Sequence, residues 1–290
     1  MRLTAVIFML ISAAAFAGMG AFVKAATEVP VVEKVVFRNV ISLVIAGVVA
    51  WRAGKPLLGR RENQKLLLLR SLLGVGGVTC YFYAIDNLIL ADAAMLNRLS
   101  PFFVAILALL FLGERPPKAV IVAMVVAFIG GLLVIKPRFE LTILPALVGL
   151  ASAVFAGGAY TVVRSLRSRE APETIVFYFS LVTVLVLAPF VAGDLYLPNG
   201  REVWLLLGIG VGAAIGQFGL TMAYRHAPAA GVSIYSYTTI VFSALLGLLI
   251  WAEVPDWLSV IGGVLIIAGG ALSFAAERRP QPESAGFGPV

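Results

Sequence analysis

The sequence predicts an all-α membrane protein: ten transmembrane helices arranged as two inverted five-helix repeats. Three observations predict it. The chain of 290 residues is 61% hydrophobic and only 13% charged, with a mean hydropathy of +1.01, well beyond a soluble domain. Its apolar residues fall into runs of about 20, the length that crosses a ~30 Å hydrocarbon layer as a helix. And the second half of the chain echoes the first at a constant offset of 139 residues.

The runs occupy roughly 3–24, 31–51, 65–85, 89–112, 118–136, 143–164, 173–192, 202–224, 229–251 and 257–276. Turn signals separate them, among them Glu28-Val29-Pro30, Gly54-Lys55-Pro56, Arg115-Pro116-Pro117, Ala171-Pro172 and Val254-Pro255-Asp256. The first run has the look of a signal peptide, with Arg2 ahead of it and a small-residue site at Ala15-Phe16-Ala17. It nevertheless continues to Val23, long enough to span. Phe16-Ala17-Gly18 also recurs as Phe155-Ala156-Gly157 in mid-chain, so the stretch reads as the first span. The tail from Arg278 is rich in Pro and Gly and is expected to be a disordered cytoplasmic extension over 278–290.

The repeat divides the chain into units of 1–139 and 140–277. Phe103, Ala105 and Leu107 fall on Phe242, Ala244 and Leu246. Glu114 and Pro116 fall on Glu253 and Pro255, and Gly130-Gly131 on Gly269-Gly270. Glu-x-Pro and a Gly pair are not apolar filler. Five helices per unit is an odd number, so the second unit enters the membrane from the opposite side. With the N-terminus inside, fifteen Lys and Arg residues, Arg70 among them, fall on the inner side and six on the outer. That bias predicts cytoplasmic N- and C-termini in an inner (plasma) membrane. It also accounts for the net charge of +7 without nucleic acid. Inverted repeats around a polar midplane point to an alternating-access carrier with one central cavity.

Other classes lack their residues. One cysteine, Cys80, and one histidine, His226, exclude a disulfide framework and a multi-cysteine metal site. A membrane enzyme needs a nucleophile–base pair or a metal set, and neither H-E-x-x-H nor G-x-S-x-G occurs. No cofactor or metal is implied. The Gly-x-Gly stretches at Gly74 and Gly208 follow no soluble strand. Gly208, Gly212 and Gly216 recur every four residues, the pattern of close helix packing. A channel and a lipid scramblase remain as alternatives of another class.

The stretch from Ala91 to Pro117 carries the candidate site. Arg98, counted from a helix start near Leu88, lies about 15 Å along the fourth span, close to mid-membrane. An Arg there costs roughly 2.5–3.5 kcal/mol on insertion scales, so it faces the protein interior. Pro101 has no N–H, which frees the carbonyl of Asn97. Arg98, Asn97 and Ser100 therefore place a guanidinium, an amide, a hydroxyl and a free carbonyl within about one turn. Three readings of Arg98 stand: a contact to a substrate carboxylate or phosphate, a structural ion pair, for which Glu33 is one candidate partner, or snorkelling toward a polar cavity. The offset lays Asn97 to Ser100 over Ser236 to Thr239 of the ninth span, facing them at one depth. There Tyr235, Ser236, Tyr237 and Thr238 offer hydroxyls and aromatic walls, with Ser233, Ser236 and Tyr237 on one helical face. The competing reading is interhelical hydrogen bonding. Arg38 in span two reads as a second anion contact, as a partner of Glu33, or as a residue of the outer vestibule. Gln217 in span eight reads as a substrate contact or as a helix–helix hydrogen bond. Lys24, Glu33 and Lys34 are expected to form a solvated rim, and Glu114 and Glu253 to be paired structural or gating elements. No carboxylate is expected to be buried, which favours exchange or facilitated movement over proton symport.

The fourth span closes on Leu-x-Pro-Phe-Phe-x-Ala-x-Leu-Ala-x-x-x-Leu-Gly-Glu-Arg, from Leu99 to Arg115. With ten spans in two halves, and Pro30 and Arg38 in the second span, this resembles the EamA branch of the drug/metabolite transporter superfamily over about residues 3–277. The resemblance implies a transporter with a small-molecule substrate and no enzymatic activity. Members carry amino acids, nucleotide precursors, S-adenosylmethionine, choline or drugs, in either direction. They usually have a small or apolar residue where Arg98 stands. With Arg98, the expected substrate is a carboxylate-bearing metabolite such as an amino acid or related compound; cationic or drug-like solutes are the alternative. Oligomeric state is open.

Overall fold

The computed structural model describes residues 3–112, 117–136, 143–166, 169–193, 196–226 and 233–277. Eleven α-helices run in order: α1 (Leu3–Ala25), α2 (Val31–Arg52), α3 (Gln64–Asn87), α4 (Leu90–Asn97), α5 (Ser100–Leu112), α6 (Lys118–Ile135), α7 (Leu144–Leu166), α8 (Pro172–Gly193), α9 (Gly200–His226), α10 (Thr238–Trp251) and α11 (Trp257–Glu277). No strand occurs among the described residues. Ten segments of the described chain are long and apolar enough to cross a membrane, and all ten overlap the expected runs. Glu114 and Pro116 and the tail from 278 lie outside the described residues.

Two spans are not plain helices. The fourth is α4 and α5, joined by a turn at Arg98 and Leu99. Pro101 offers no N–H to the Asn97 carbonyl, so the α-helix stops there. The chain tightens instead: the Leu99 N–H donates to the Leu96 carbonyl at 3.1 Å. Pro101 then sits in the first turn of α5, where a missing N–H is harmless. The ninth span opens as a 3-10 turn, Ser233–Tyr237, before α10. This corrects the expected shared face. With three residues per turn, positions four apart no longer share a face, so the i, i+3, i+4 pattern does not hold in this segment.

Helices pack in matched pairs. α1 lies against α9 and α3 against α7; α2 packs on α8 and α6 on α11. Positions related by the offset make matching contacts. Phe16 of α1 covers Gly216 of α9, and Phe155 of α7 covers Gly76 and Gly77 of α3. Gly130 of α6 abuts the Gly262 carbonyl, while Gly269 of α11 abuts the Ala123 carbonyl. The four-residue glycine stripe packs as expected: Gly208, Gly212 and Gly216 face Phe22, Met19 and Phe16 of α1. A Cβ on Gly130 would stand 2.6 Å from the Gly262 oxygen, which is backbone and cannot swing aside. Gly130→Val is therefore expected to force α6 and α11 apart and destabilise the protein by about 1–3 kcal/mol. A lowered unfolding midpoint in a detergent titration checks this; an unchanged midpoint refutes the close approach.

One end of the bundle is tied by buried ions. Lys34 of α2, wholly buried, donates to both carboxylate oxygens of Asp86 of α3, at 2.8 and 2.7 Å. Lys24 of α1 pairs with Glu253, whose other oxygen accepts the Leu90 N–H at 2.9 Å. Glu33 is buried and accepts the Tyr196 N–H at 2.8 Å. Asp92 is also buried and accepts from Ser259 at 3.1 Å, with Lys136 at 3.9 Å. Lys136 bonds Asp256 at 2.6 Å; that bond and the Ser259 N–H hold the Asp256 carboxyl below the usual range. Two expectations are corrected here. Glu33 and Lys34 are interior groups, not a solvated rim, and Glu33 and Asp92 are buried carboxylates. The missing signal was pairing: a charge near a span end is buried when an opposite charge on a neighbouring helix satisfies it.

Candidate functional site

The break in the fourth span positions Arg98. Its side chain leaves the C-terminal end of α4, and one terminal nitrogen donates to Thr239 Oγ1 of α10 at 2.6 Å. That bond joins the interruption of one span to the interruption of its counterpart. No carboxylate lies within ion-pair distance of Arg98 among the described residues. The proposed pairing with Glu33 is excluded, since Glu33 is engaged at Tyr196. Tyr81 of α3 stands within electrostatic reach of the guanidinium. Asn97 donates to Ser152 of α7 at 3.1 Å, and Ser152 in turn to the Gly149 carbonyl. Ser100 is buried beside the turn. The interruption thus holds a half-buried cation whose remaining donors are not bound to an acid.

The ninth-span candidates divide. Thr239, at the same depth as Arg98, is the residue that reaches it. Thr238 spends its hydroxyl on the Tyr235 carbonyl at 2.6 Å. Tyr237 is buried against Gly270 of α11 within the apolar core. Tyr235 packs with Ala5, Met9 and Ala223, towards α1 and α9. Ser236 is half-buried in the 3-10 turn. Gln217 lies elsewhere, in a groove between α2, α8 and α9 with Ser42, Glu173 and Thr221. It is not brought to Arg98. The larger concavity, about 400 Å³, is lined by Phe8, Ile11, Ile45, Val211, Ile215 and Phe218. Most of these side chains are exposed on the bundle's outside, so this apolar groove suits an acyl chain better than a polar solute.

Arg38 belongs to a second cluster. It is not paired with Glu33; it bonds the neighbouring Asn39 at 3.3 Å and its guanidinium lies 5.9 Å from the Phe179 ring centre. Arg70 of α3 stacks on the same ring at 4.1 Å. Arg70 was assigned to a loop on charge alone. Its position inside the third apolar run was the signal that it belongs to the membrane interior.

Spanning helices interrupted at one depth, with a charged group at the interruption, are the architecture of a membrane carrier. A sequence profile of the EamA-like transporter family matches residues 3–136 and again 143–275, so the chain belongs to the EamA-like transporter family, within the drug/metabolite transporter superfamily. It is a transporter and not an enzyme. The chain is 42% identical to the pseudopaline exporter CntI of Pseudomonas aeruginosa, over 87% of this chain and 89% of that one. It is 30% identical to a riboflavin transporter of Vibrio cholerae, over 69% and 68% of the two chains. A solved crystal structure with 20% identity covers 96% of this chain and 99% of its own, at a TM-score of 0.68, and supports the fold.

Proposed function

We propose that this multi-pass membrane protein is an alternating-access secondary transporter of a small carboxylate-bearing metabolite, with Arg98 as the anion contact. The observation that carries the reading is the Arg98–Thr239 bond across two broken spans, with no acid among the described residues to neutralise the guanidinium. A neutral hydroxyl leaves the cation's charge uncompensated, and a substrate carboxylate supplies the missing acceptor through a charge-assisted, bidentate contact. Asn97 and Ser100 flank this contact in sequence, and Ser236 lies three residues before Thr239. The relatives named as a pseudopaline exporter and a riboflavin transporter support a small metabolite as cargo. The matching glycine contacts and the twice-matched profile support two inverted five-helix units, which rock about the interruptions to expose the site to either side. The charge bias supports an inner-membrane location with both termini cytoplasmic. Buried carboxylates at Glu33 and Asp92 remove the earlier ground for preferring exchange over proton coupling.

The test is counterflow in proteoliposomes holding the full chain. Radiolabelled carboxylate metabolites are expected to accumulate against unlabelled internal solute and to saturate. Conductance without counterflow makes the protein a channel, and headgroup movement without solute uptake makes it a scramblase. Saturable counterflow confined to cations overturns the carboxylate.

A further inference from the structure

We infer that Arg38, Arg70 and Phe179 form a second anion subsite, and that the transported solute carries at least two separate acidic groups. The inference rests on the carrier reading above and extends it. Both guanidinium groups flank one ring, so their centres lie at most about 10 Å apart. They repel each other, and each is half-buried. Nε of Arg38 and both Nε and one terminal nitrogen of Arg70 are buried without a hydrogen-bond partner among the described residues. No carboxylate is bonded to either among the described residues.

Two half-buried like charges with three buried nitrogens left without a hydrogen bond are costly in isolation. Buried Lys34 and part-buried Lys24 are matched, by Asp86 and by Glu253, whereas these two arginines, like Arg98, have no acid among the described residues. The contrast marks the arginine pair as a place where an anion comes and goes. The local sequence is built for it. Gly74 follows Arg70 by one turn, and a Cβ there would stand 2.6 Å from the Phe179 ring and 3.1 Å from the Arg70 nitrogen, so glycine makes room for the stack. Tyr160 of α7 is half-exposed and within electrostatic reach of both arginines.

The pair also lies within range of the first contact. Helix α7 carries Ser152, which meets Asn97 beside Arg98, and Tyr160 beside the pair. Eight residues of helix separate them, about 12 Å along the axis. Arginine side chains reaching in from both ends shorten that gap to the size of a metabolite. A solute with one carboxylate on Arg98 and a second on the pair satisfies all three guanidinium groups at once.

The experiment compares hexanoate and adipate, equal in length and differing by one carboxylate, as thermal-shift ligands of the detergent-purified full chain at constant ionic strength. Adipate is expected to stabilise the native protein at lower concentration than hexanoate. Arg70→Met, and independently Arg38→Met, are expected to weaken adipate at least about ten-fold, to the level of hexanoate, and to leave hexanoate unchanged. Each is also expected to raise the ligand-free midpoint, because one of two repelling charges is gone. A native protein without preference for adipate, or variants that keep that preference, overturn the inference. So does a chloride response that depends on Arg70 in the absence of an adipate preference, which makes the pair an inorganic-anion site. Arg98→Ala separates the two readings. If hexanoate still stabilises it while adipate's advantage depends on Arg70, the Arg98 contact fails and the second subsite stands.

Discussion

Arg98→Ala is expected to abolish transport while leaving a folded, monodisperse protein. Among the described residues the side chain has one hydrogen bond, to Thr239, and no acid, so its removal leaves no buried charge behind there. Folding loses one hydrogen bond, about 1 kcal/mol net. The substrate loses a charge-assisted contact worth about 1.5–3 kcal/mol, or roughly 10–100-fold in affinity, and the group that orients it. Arg98→Lys keeps the charge but not the planar fork, and is expected to retain reduced transport with a raised KM. Thr239→Val tests the bridge itself: the guanidinium keeps its place at the turn but loses its tether, so transport falls without vanishing. Uptake in proteoliposomes beside size-exclusion profiles of each variant decides the matter. Full transport by Arg98→Ala would sink the anion-contact reading.

Lys34→Ala is expected to act in the opposite sense, on folding rather than on the substrate. Lys34 has no exposed surface and spends two hydrogen bonds on Asp86. Removing it leaves Asp86 largely buried without its nearest cation. Breaking such a pair by deleting one partner typically costs about 3–5 kcal/mol. The lower end applies here, because the Asp86 side chain keeps 19% exposure. Asp86→Asn is expected to cost less than Asp86→Ala, since the amide still offers an acceptor. The double change Lys34→Met with Asp86→Leu is expected to recover most of the loss, because an apolar pair of similar volume carries no desolvation penalty. Unfolding midpoints of the double change beside the single changes Lys34→Met and Asp86→Leu give the coupling directly, and additive losses would mean that the pair does not act as a unit.

These outcomes bear on what a one-dimensional reading reaches. Run length and polarity are properties of consecutive residues, so the ten spans, the helical class and the family were legible in the order of residues alone. So was the offset of 139, and through it the meeting of the fourth and ninth spans. Pro101 announced the break at Arg98, because a missing N–H is a local fact. What stayed hidden depends on which face of a helix meets which neighbour. Hydropathy gives a residue's depth and not its azimuth. Lys34 and Glu33 were therefore read as solvated, though their partners Asp86 and Tyr196 come from distant parts of the chain. Arg70 was read as a loop charge, though its guanidinium stacks on a ring of α8. Tyr237 read as a cavity wall and packs into the core, because in a 3-10 turn positions four apart no longer share a face. The sequence by itself determined the membrane, the helices and their order; only tertiary packing decided which charges are neutralised and which are left for a ligand, because desolvation and pairing are set by groups brought together from separate helices.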